Sequence, residues 1–461
     1  MDSKIEWKSN ININDGFDIV IGNPPYVQIQ KFSGQKTQKD WEAQKFETFA
    51  KTGDVYCLFY ERGNNLLKEK GFLCFVTSNK WMRAGYGEAT RKYFADKTNP
   101  ILLLDFGGYK VFESATVDTN ILIFQKEKNQ NKTIACAIQK DFKINTNISE
   151  YLAKKNVILD DVSSESWIIL SKEEYDIKKQ IEKIGIPLKN WDISINCGIK
   201  TGFNEAFIIN GKTKEELIQA DPKNAEIIKP VLRGRDIRKY FCNFADLWVI
   251  FIPWHFPLHD NISIQGNSFK AEEELKKQYS SIYNHLLSYK KELSARNKAE
   301  TGIRYEWYVL QRFAPTYYQE FNKEKIMFSE IVSEPQFYYD TKGYYPEATG
   351  FIITGKSLKY LNALLNSKPV TYFFSKFYAG GGLGTEGFRY KKAFLIKLPI
   401  PKISLEEQKP FIYLVDKIIE RKKFGENTQE LEDQIDQMVY KLYELTQEEI
   451  DIVERKIMNN E

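Results

Sequence analysis

The stretch Phe17–Gln28, "FDIVIGNPPYVQ", decides how the first third of this chain is read. The apolar run Phe17 to Ile21 predicts a short strand buried on both faces, as in the interior of a parallel sheet. Two prolines then end it, with an amide before them and a phenol after. Proline removes the freedom of φ, so the groups around it are held still. The Asn23 side-chain oxygen and the Pro24 carbonyl are two neutral acceptors. Two converging acceptors suit an amino group with two hydrogens and draw its nitrogen toward a nucleophilic, tetrahedral geometry. Tyr26 adds a flat face for an aromatic ring. The exocyclic amine of a nucleic-acid base, once out of the stack, has both features. The same letters also spell a strand closed by an Asx turn and two prolines, with no chemistry at all.

Outward from this stretch, strand-like and helix-like segments alternate. Residues 53–71 read as a helix with Gly71 as its stop. Residues 72–77 read as a buried strand, 85–96 as a helix and 101–106 as a strand. "TNILIFQK" and "TIACAIQ" read as two further strands. This pattern predicts an α/β fold with a partial, mostly parallel Rossmann-like sheet and ligands at the carboxyl ends of its strands. Residues 1–145 form that first domain in this reading, and 146–190 a polar connector. From Trp191 the pattern becomes irregular and aromatic. Residues 191–461 read as an α+β domain with a helical tail. One long charged helix is expected over 268–298, and a strand over "VTYFFSKFY", residues 370–378. Ser404 with Glu407, and Thr446 with Glu449, are spaced as capping boxes.

Composition narrows the class. The chain has 461 residues, 42% hydrophobic and 28% charged, and a net charge of +4. That balance fits a globular protein whose affinity for a polyanion would rest on local basic patches. The five cysteines, Cys57, Cys74, Cys136, Cys197 and Cys242, form no CxxC pair, and there are three histidines, so no metal site is expected. No apolar run approaches membrane-spanning length, and a soluble cytoplasmic protein with no membrane partner is expected.

"FDIVIGNPPYV" resembles motif IV of the methyltransferases that modify adenine in DNA. "GDVYCLFYERGNNLLKEKGFLCFVTSNKWMRAGYGEATRKYF" and "VFESATVDTNILIFQK" are similar, in order, to the second half of the catalytic domain in TaqI-like and fused type IIG restriction–modification enzymes. "GIKTGFNEAFII", "IIKPVLRGRDIRKY" and "LPIPKISLEEQ...IDQMVYKLYELTQEEI" resemble the target recognition domain behind it. The resemblance implies a site-specific, adenine-directed DNA methyltransferase of a restriction–modification system, acting on double-stranded DNA with S-adenosylmethionine as methyl donor. It implies Asn23, Pro24, Pro25 and Tyr26 as the catalytic motif, with Tyr26 and Phe112 stacking on the flipped base. Asp18 is the one expected cofactor contact in the chain. The alternatives are a non-catalytic DNA-specificity subunit and an inactive remnant of a type IIG enzyme.

The family's glycine-rich cofactor loop lies upstream of NPPY, and only 22 residues precede Asn23 here. The expectation is therefore a C-terminal half that needs a partner polypeptide carrying the cofactor-binding half. By the same resemblance a nuclease, if the system has one, would lie outside this chain too, since no PD...ExK pattern stands out. The glycine-rich stretch 379–392 is the alternative place for a permuted cofactor loop. For DNA contacts the candidates are Lys200, Thr201 and Asn204 on a glycine-flanked turn, and Arg233, Arg235, Arg238 and Lys239 in "LRGRDIRKY". "GIRYEWYVLQRF" adds Arg304, Trp307 and Arg312.

Overall fold

A computed structural model describes residues 16–107, 109, 111–112, 117–139, 142–143, 145–160, 162–379 and 387–458. The chain divides into two compact units, Met1–Lys179 with Ala379–Gly387, and Gln180–Tyr378 with Phe388–Glu461.

The first unit is built on a six-stranded sheet. Its strands are β1 (Phe17–Gly22), β2 (Leu67–Ser78), β3 (Asn99–Asp105), β4 (Thr119–Gln125), β5 (Thr133–Ala137) and β6 (Val157–Leu159), in the order β1-β2-β4-β3-β5-β6. β1 runs parallel to β2, and β3 parallel to β5, while β4 and β6 pair antiparallel with their neighbours. Because β4 lies antiparallel between β2 and β3, strands β1, β2, β3 and β5 share one direction. Their carboxyl ends therefore lie along one edge of the sheet. Helix α1 (Lys36–Ala43) precedes α2 (Val55–Leu66), and α3 (Glu88–Lys97) follows β2. The core centres on Tyr60 of α2, whose ring meets Phe94, Phe75 and Trp81 at 4.9, 5.3 and 6.3 Å. Gly63 lets α2 approach β2. A Cβ there would sit 2.4 Å from Leu73 Cδ1.

β1 departs from the expected strand. Among the described residues it is an edge strand, with Ile19 and Ile21 exposed at 59% and 76%. In register, Ile19 pairs with Phe72 and Ile21 with Cys74, and in a parallel pair such neighbours share a face. Phe72 is exposed too, so an apolar strip runs along the open edge. Gly71 does not stop a helix. The helix ends at Leu66 and β2 begins at once, bulging opposite Phe17. Gly71 is needed there because a Cβ would meet the Phe17 carbonyl at 2.8 Å.

The expected polar connector also folds differently. Asn147 caps helix α4 (Ile148–Lys155) by accepting from the Ser149 and Glu150 amides at 3.0 and 3.4 Å. β6 then extends the sheet. Trp167 is buried against Trp81 at 5.2 Å, and its amide donates to the Met82 carbonyl at 2.9 Å. An aromatic anchor outweighs the polar composition around it.

The second unit holds two four-stranded sheets. One orders Tyr345–Pro346, Ile228–Leu232, Leu247–Ile250 and Ile208–Asn210. The other orders Phe337–Asp340, Lys325–Ser329, Gly350–Gly355 and Ile193–Cys197. The long helix expected over 268–298 is three pieces, Phe269–Gln278, Ser280–Leu287 and Lys290–Ala295. Tyr279 leaves helical geometry (φ −139°, ψ 55°) to bury its ring. There its hydroxyl donates to Glu226 at 3.2 Å and Lys223 lies 4.6 Å over the ring. Tertiary packing of one aromatic thus overrides helix propensity. The strand expected over 370–378 is helical instead. Ser367 caps Val370 and Pro369 stands in the first turn, a start signal that outweighs the β-prone aromatics after it. Both expected capping boxes form. Ser404 and Thr446 amides donate to Glu407 and Glu449 at 2.8 Å each, and the reciprocal bonds are 3.3 Å. Among the described residues no helix is long and apolar enough to cross a membrane.

Candidate active site and nucleic-acid interface

Asn23, Pro24, Pro25 and Tyr26 leave β1 at the shared carboxyl edge of the parallel strands. Asn23 and Pro25 are exposed, Pro24 is buried and Tyr26 is half-buried. The segment behind them is tied down by backbone bonds to the start of α2. The Val55 amide donates to the Val27 carbonyl, and the Ile29 amide to the Gly53 carbonyl, both at 2.8 Å. Tyr26 is held at two points. Its hydroxyl donates to the Val76 carbonyl of β2 at 3.2 Å, and its ring meets Tyr56 edge-on at 6.3 Å and 83°. Burial raises its phenol pKa, so the hydroxyl remains a donor.

A relay supports Tyr56. Tyr86 donates to Asp54 Oδ2 at 2.6 Å. Its proton is spent there, so Tyr56 is the donor in the 3.0 Å contact between the two hydroxyls. Burial, then the bond to Asp54, raises the Tyr86 phenol. Asp54 and Tyr86 carry no motif in the sequence. Their only local signal is an acid at a helix start and a tyrosine between glycines.

Further polar groups gather at the same edge. Asp105, the last residue of β3, accepts from Asn79 Nδ2 at 2.8 Å and from the Gly107 amide at 2.9 Å. Asp118 opens the way into β4, and burial, then Asp105, raises its carboxyl. Phe112 lies half-buried in the connection between Gly107 and Asp118. This connection leaves the carboxyl end of β3 and enters β4. Asn79, Asp105 and Asp118 were missed as well, although each marks a point where an apolar strand meets a polar residue.

Asp18 is not brought to this place. It stands near the start of β1, exposed, paired with Lys68. It is five residues before Asn23, roughly 16 Å along an extended strand. Its carboxylate thus belongs to the opposite end of the strand from the clamp. Half of the glycine-rich stretch 379–392, residues 380–386, lies outside the described residues.

In the second unit the candidate DNA contacts separate by use. The Arg233 guanidinium forks onto Asp236 at 2.8 and 2.7 Å, and its pKa is raised by that bond. Lys239 pairs with the buried Glu432 at 2.6 Å. Arg238 donates to the carbonyls of Arg235 and Ile237 at 2.7 and 2.8 Å. Arg235 alone of the four is exposed, and the other three are half-buried. Lys200 is exposed. Thr201 is buried, and its hydroxyl donates to Asn204 Oδ1 at 2.5 Å. Trp307 is buried, whereas Arg304 and Arg312 project from the surface. Among the described residues no group of three or more His, Cys, Asp or Glu is placed to hold a metal ion.

The described residues form a mixed six-stranded sheet unit and a second unit with two four-stranded sheets. Residues 1–112 match the family of the Eco57I restriction-modification methylase, and residues 229–400 match the TaqI-like C-terminal specificity domain. The type II methyltransferase M.BstVI of Geobacillus stearothermophilus is 22% identical over 97% of this chain and 77% of its own length. The restriction enzyme and methyltransferase RM.Eco57I of Escherichia coli is 30% identical over 42% of this chain and 20% of its own. The structure of the type IIL restriction-modification enzyme MmeI in complex with DNA shares the fold, with a TM-score of 0.58 and 12% identity. That likeness covers 94% of this chain, which spans about half (55%) of the MmeI chain. The chain is a homologue of the type II restriction–modification DNA methyltransferases and fits the type IIG kind, a methylase segment joined to a TaqI-like specificity domain.

Proposed function

We propose that this protein methylates the N6 amine of adenine at a specific site in double-stranded DNA, within a restriction–modification system of the cytoplasm. The observation that carries this is the NPPY turn at the carboxyl edge of β1, with Tyr26 pinned by Val76 and Tyr56. Asn23 Oδ1 and the Pro24 carbonyl accept the two hydrogens of the amine. This draws the nitrogen lone pair out of the ring system and readies it to attack. Tyr26 stacks on the flipped base, worth about 1–3 kcal/mol, and Phe112 is its counterpart on the next connection. Pro25 keeps the turn rigid. Lys200, Asn204 and Arg235 are the exposed candidates for backbone or base contacts. Arg233, Arg238, Lys239 and Thr201 shape the surface behind them through the contacts they already make.

Methyltransferase homologues imply S-adenosylmethionine as the donor. The described residues of the first unit do not fit it well. The open edge of β1 presents Ile19, Ile21 and Phe72, and Asp18 is engaged with Lys68 far from Asn23. An apolar strip beside a strand edge that none of the described residues pairs suits another strand, not a charged amino-acid cofactor. The reading is that a further polypeptide segment covers this edge and carries the donor's binding loop. Micromolar binding of S-adenosylmethionine by this chain alone, as a stable monomer, would defeat that part. The catalytic assignment is tested by Asn23→Ala in cells carrying the complete system. Mapped methyladenine should vanish, and unchanged methylation would defeat the assignment.

A further inference from the structure

We propose that Lys200, Arg304 and Arg312 form a platform on the specificity unit that takes the phosphate backbone of duplex DNA. In the free protein Glu300 holds the two arginines where a phosphate would. The inference rests on the DNA-methylating reading above and names the surface that reading needs.

The platform joins three segments. Lys200 and Arg312 exchange both backbone hydrogen bonds, at 2.9 Å each, so their side chains leave neighbouring positions. Arg312 Nη1 lies 2.8 Å from Glu300 Oε2, and Arg304 Nη1 lies 3.2 Å from Glu300 Oε1. Arg304 also spreads over the Trp254 ring at 5.1 Å. The arginine side chains are 62% and 45% exposed, while the Glu300 side chain is 17% exposed. The Lys200 ammonium is exposed and has no ion pair among the described residues. Two exposed arginines thus share one carboxylate, and exposed Lys200 stands opposite one of them on the backbone.

The platform is fixed from beneath. Arg296 is buried and donates to the carbonyls of Leu293, Trp307 and Val309 at 3.0, 2.7 and 2.9 Å, and also to that of Thr201. It has no carboxylate partner among the described residues. Burial pushes its pKa down to about 10, so it stays charged near neutral pH. One guanidinium therefore staples the Lys200 turn to the strand-like run that ends at Arg312. Gly202 closes the turn at φ 80°, and a Cβ there would sit 2.8 Å from the Arg296 side chain.

The chemistry favours exchange. A carboxylate offers an arginine fork the same two-oxygen geometry as a phosphate. The arginine ends of these pairs face solvent, so water can take part as a phosphate displaces Glu300. Phosphate contacts in turn release counterions, which makes binding salt-dependent. The "LRGRDIRKY" cluster is less suited to this role, because Arg233 and Lys239 are themselves only 26% and 22% exposed and pair with the buried Asp236 and Glu432.

The test is binding of the full chain to a duplex oligonucleotide of arbitrary sequence, by fluorescence anisotropy from 50 to 200 mM salt. Lys200→Ala, Arg304→Ala and Arg312→Ala should each weaken binding alike on every sequence. Each should flatten the slope of log K against log salt by about 0.9, which makes the loss across that range about 3.5-fold smaller. Glu300→Gln should tighten binding. Wild-type binding with slopes unchanged in all three alanine variants would overturn the platform while leaving the DNA reading intact. No wild-type binding at all would overturn both. Should the arginine variants melt early, Lys200→Ala decides, since its side chain has no ion pair to lose among the described residues. An unchanged slope there would overturn the proposal.

Discussion

The Tyr26 hydroxyl donates to the Val76 carbonyl at 3.2 Å, so the aromatic face of the clamp on β1 is moored to the neighbouring strand. The bond crosses 50 positions of sequence and sets the plane of the ring. Tyr26→Phe keeps the ring and loses the mooring, at a cost of about 1 kcal/mol. Tyr26→Ala also loses the stacking face, at about 1–3 kcal/mol. Methylation in the complete system should therefore fall modestly in the first variant and much further in the second. Equal effects, read as single-turnover rates, would show that the ring contributes nothing beyond its hydroxyl.

Tyr86→Phe breaks the relay from Asp54 to Tyr56. It leaves a buried carboxylate without its donor, which should destabilise the unit by about 1–3 kcal/mol in urea unfolding. Asp54→Asn can still accept from Tyr86 and should lose less.

Lys325 and Asp340 form an ion pair at 2.5 Å with both side chains fully buried. Asp340 also accepts from the amides of Lys342 and Tyr344 at 2.8 and 2.9 Å. Lys325→Met strands that charge and should cost about 3–5 kcal/mol. Adding Asp340→Asn should recover part of the loss, because the amide keeps an acceptor without a charge. A double-mutant cycle in denaturant measures the difference.

Asp436 supplies a pH test. Burial pushes its carboxyl up to about 6, against the Lys368 amide at 2.8 Å and the cations Lys239 and Lys368. The unfolded chain loses that proton near pH 4, so between about pH 4 and 6 the folded state holds more protons. Stability from this group is therefore present below that window and lost as pH rises through it. At about 1.36 kcal/mol per pH unit, the window is worth up to about 3 kcal/mol. The stability difference between wild type and Asp436→Asn should shrink by that order from pH 4 to 6 in melting experiments. A difference independent of pH would show that Asp436 titrates normally.

Much of the clamp was legible because its elements are local. A strand run, an amide, two prolines and a tyrosine in immediate succession state a turn and its acceptors within ten residues. The capping boxes at Ser404 and Thr446 were legible for the same reason. Breaks in local pattern were misread where a distant partner decided them. Tyr279 interrupts a helix because a pocket beside Glu226 and Lys223 receives its ring. Gly71 sits in a strand because the Phe17 carbonyl passes too close for a side chain. Trp167 draws a polar segment into the first unit by packing on Trp81.

Sequence alone determined the order of groups along the turn of residues 23–26, because the two prolines fix it locally, whereas the plane of the Tyr26 ring is set by Val76 and Tyr56. Tertiary structure alone decided which charges remain available. In "LRGRDIRKY" every cation looks equal, yet Asp236 lies one turn away and Glu432 comes from far downstream to neutralise two of them. The lone lysine of the "GIKTG" turn, by contrast, has no ion pair among the described residues and stands beside two arginines that share one acid. Charge pairing depends on distance in space, and Coulomb energy falls with that distance whatever the separation along the chain.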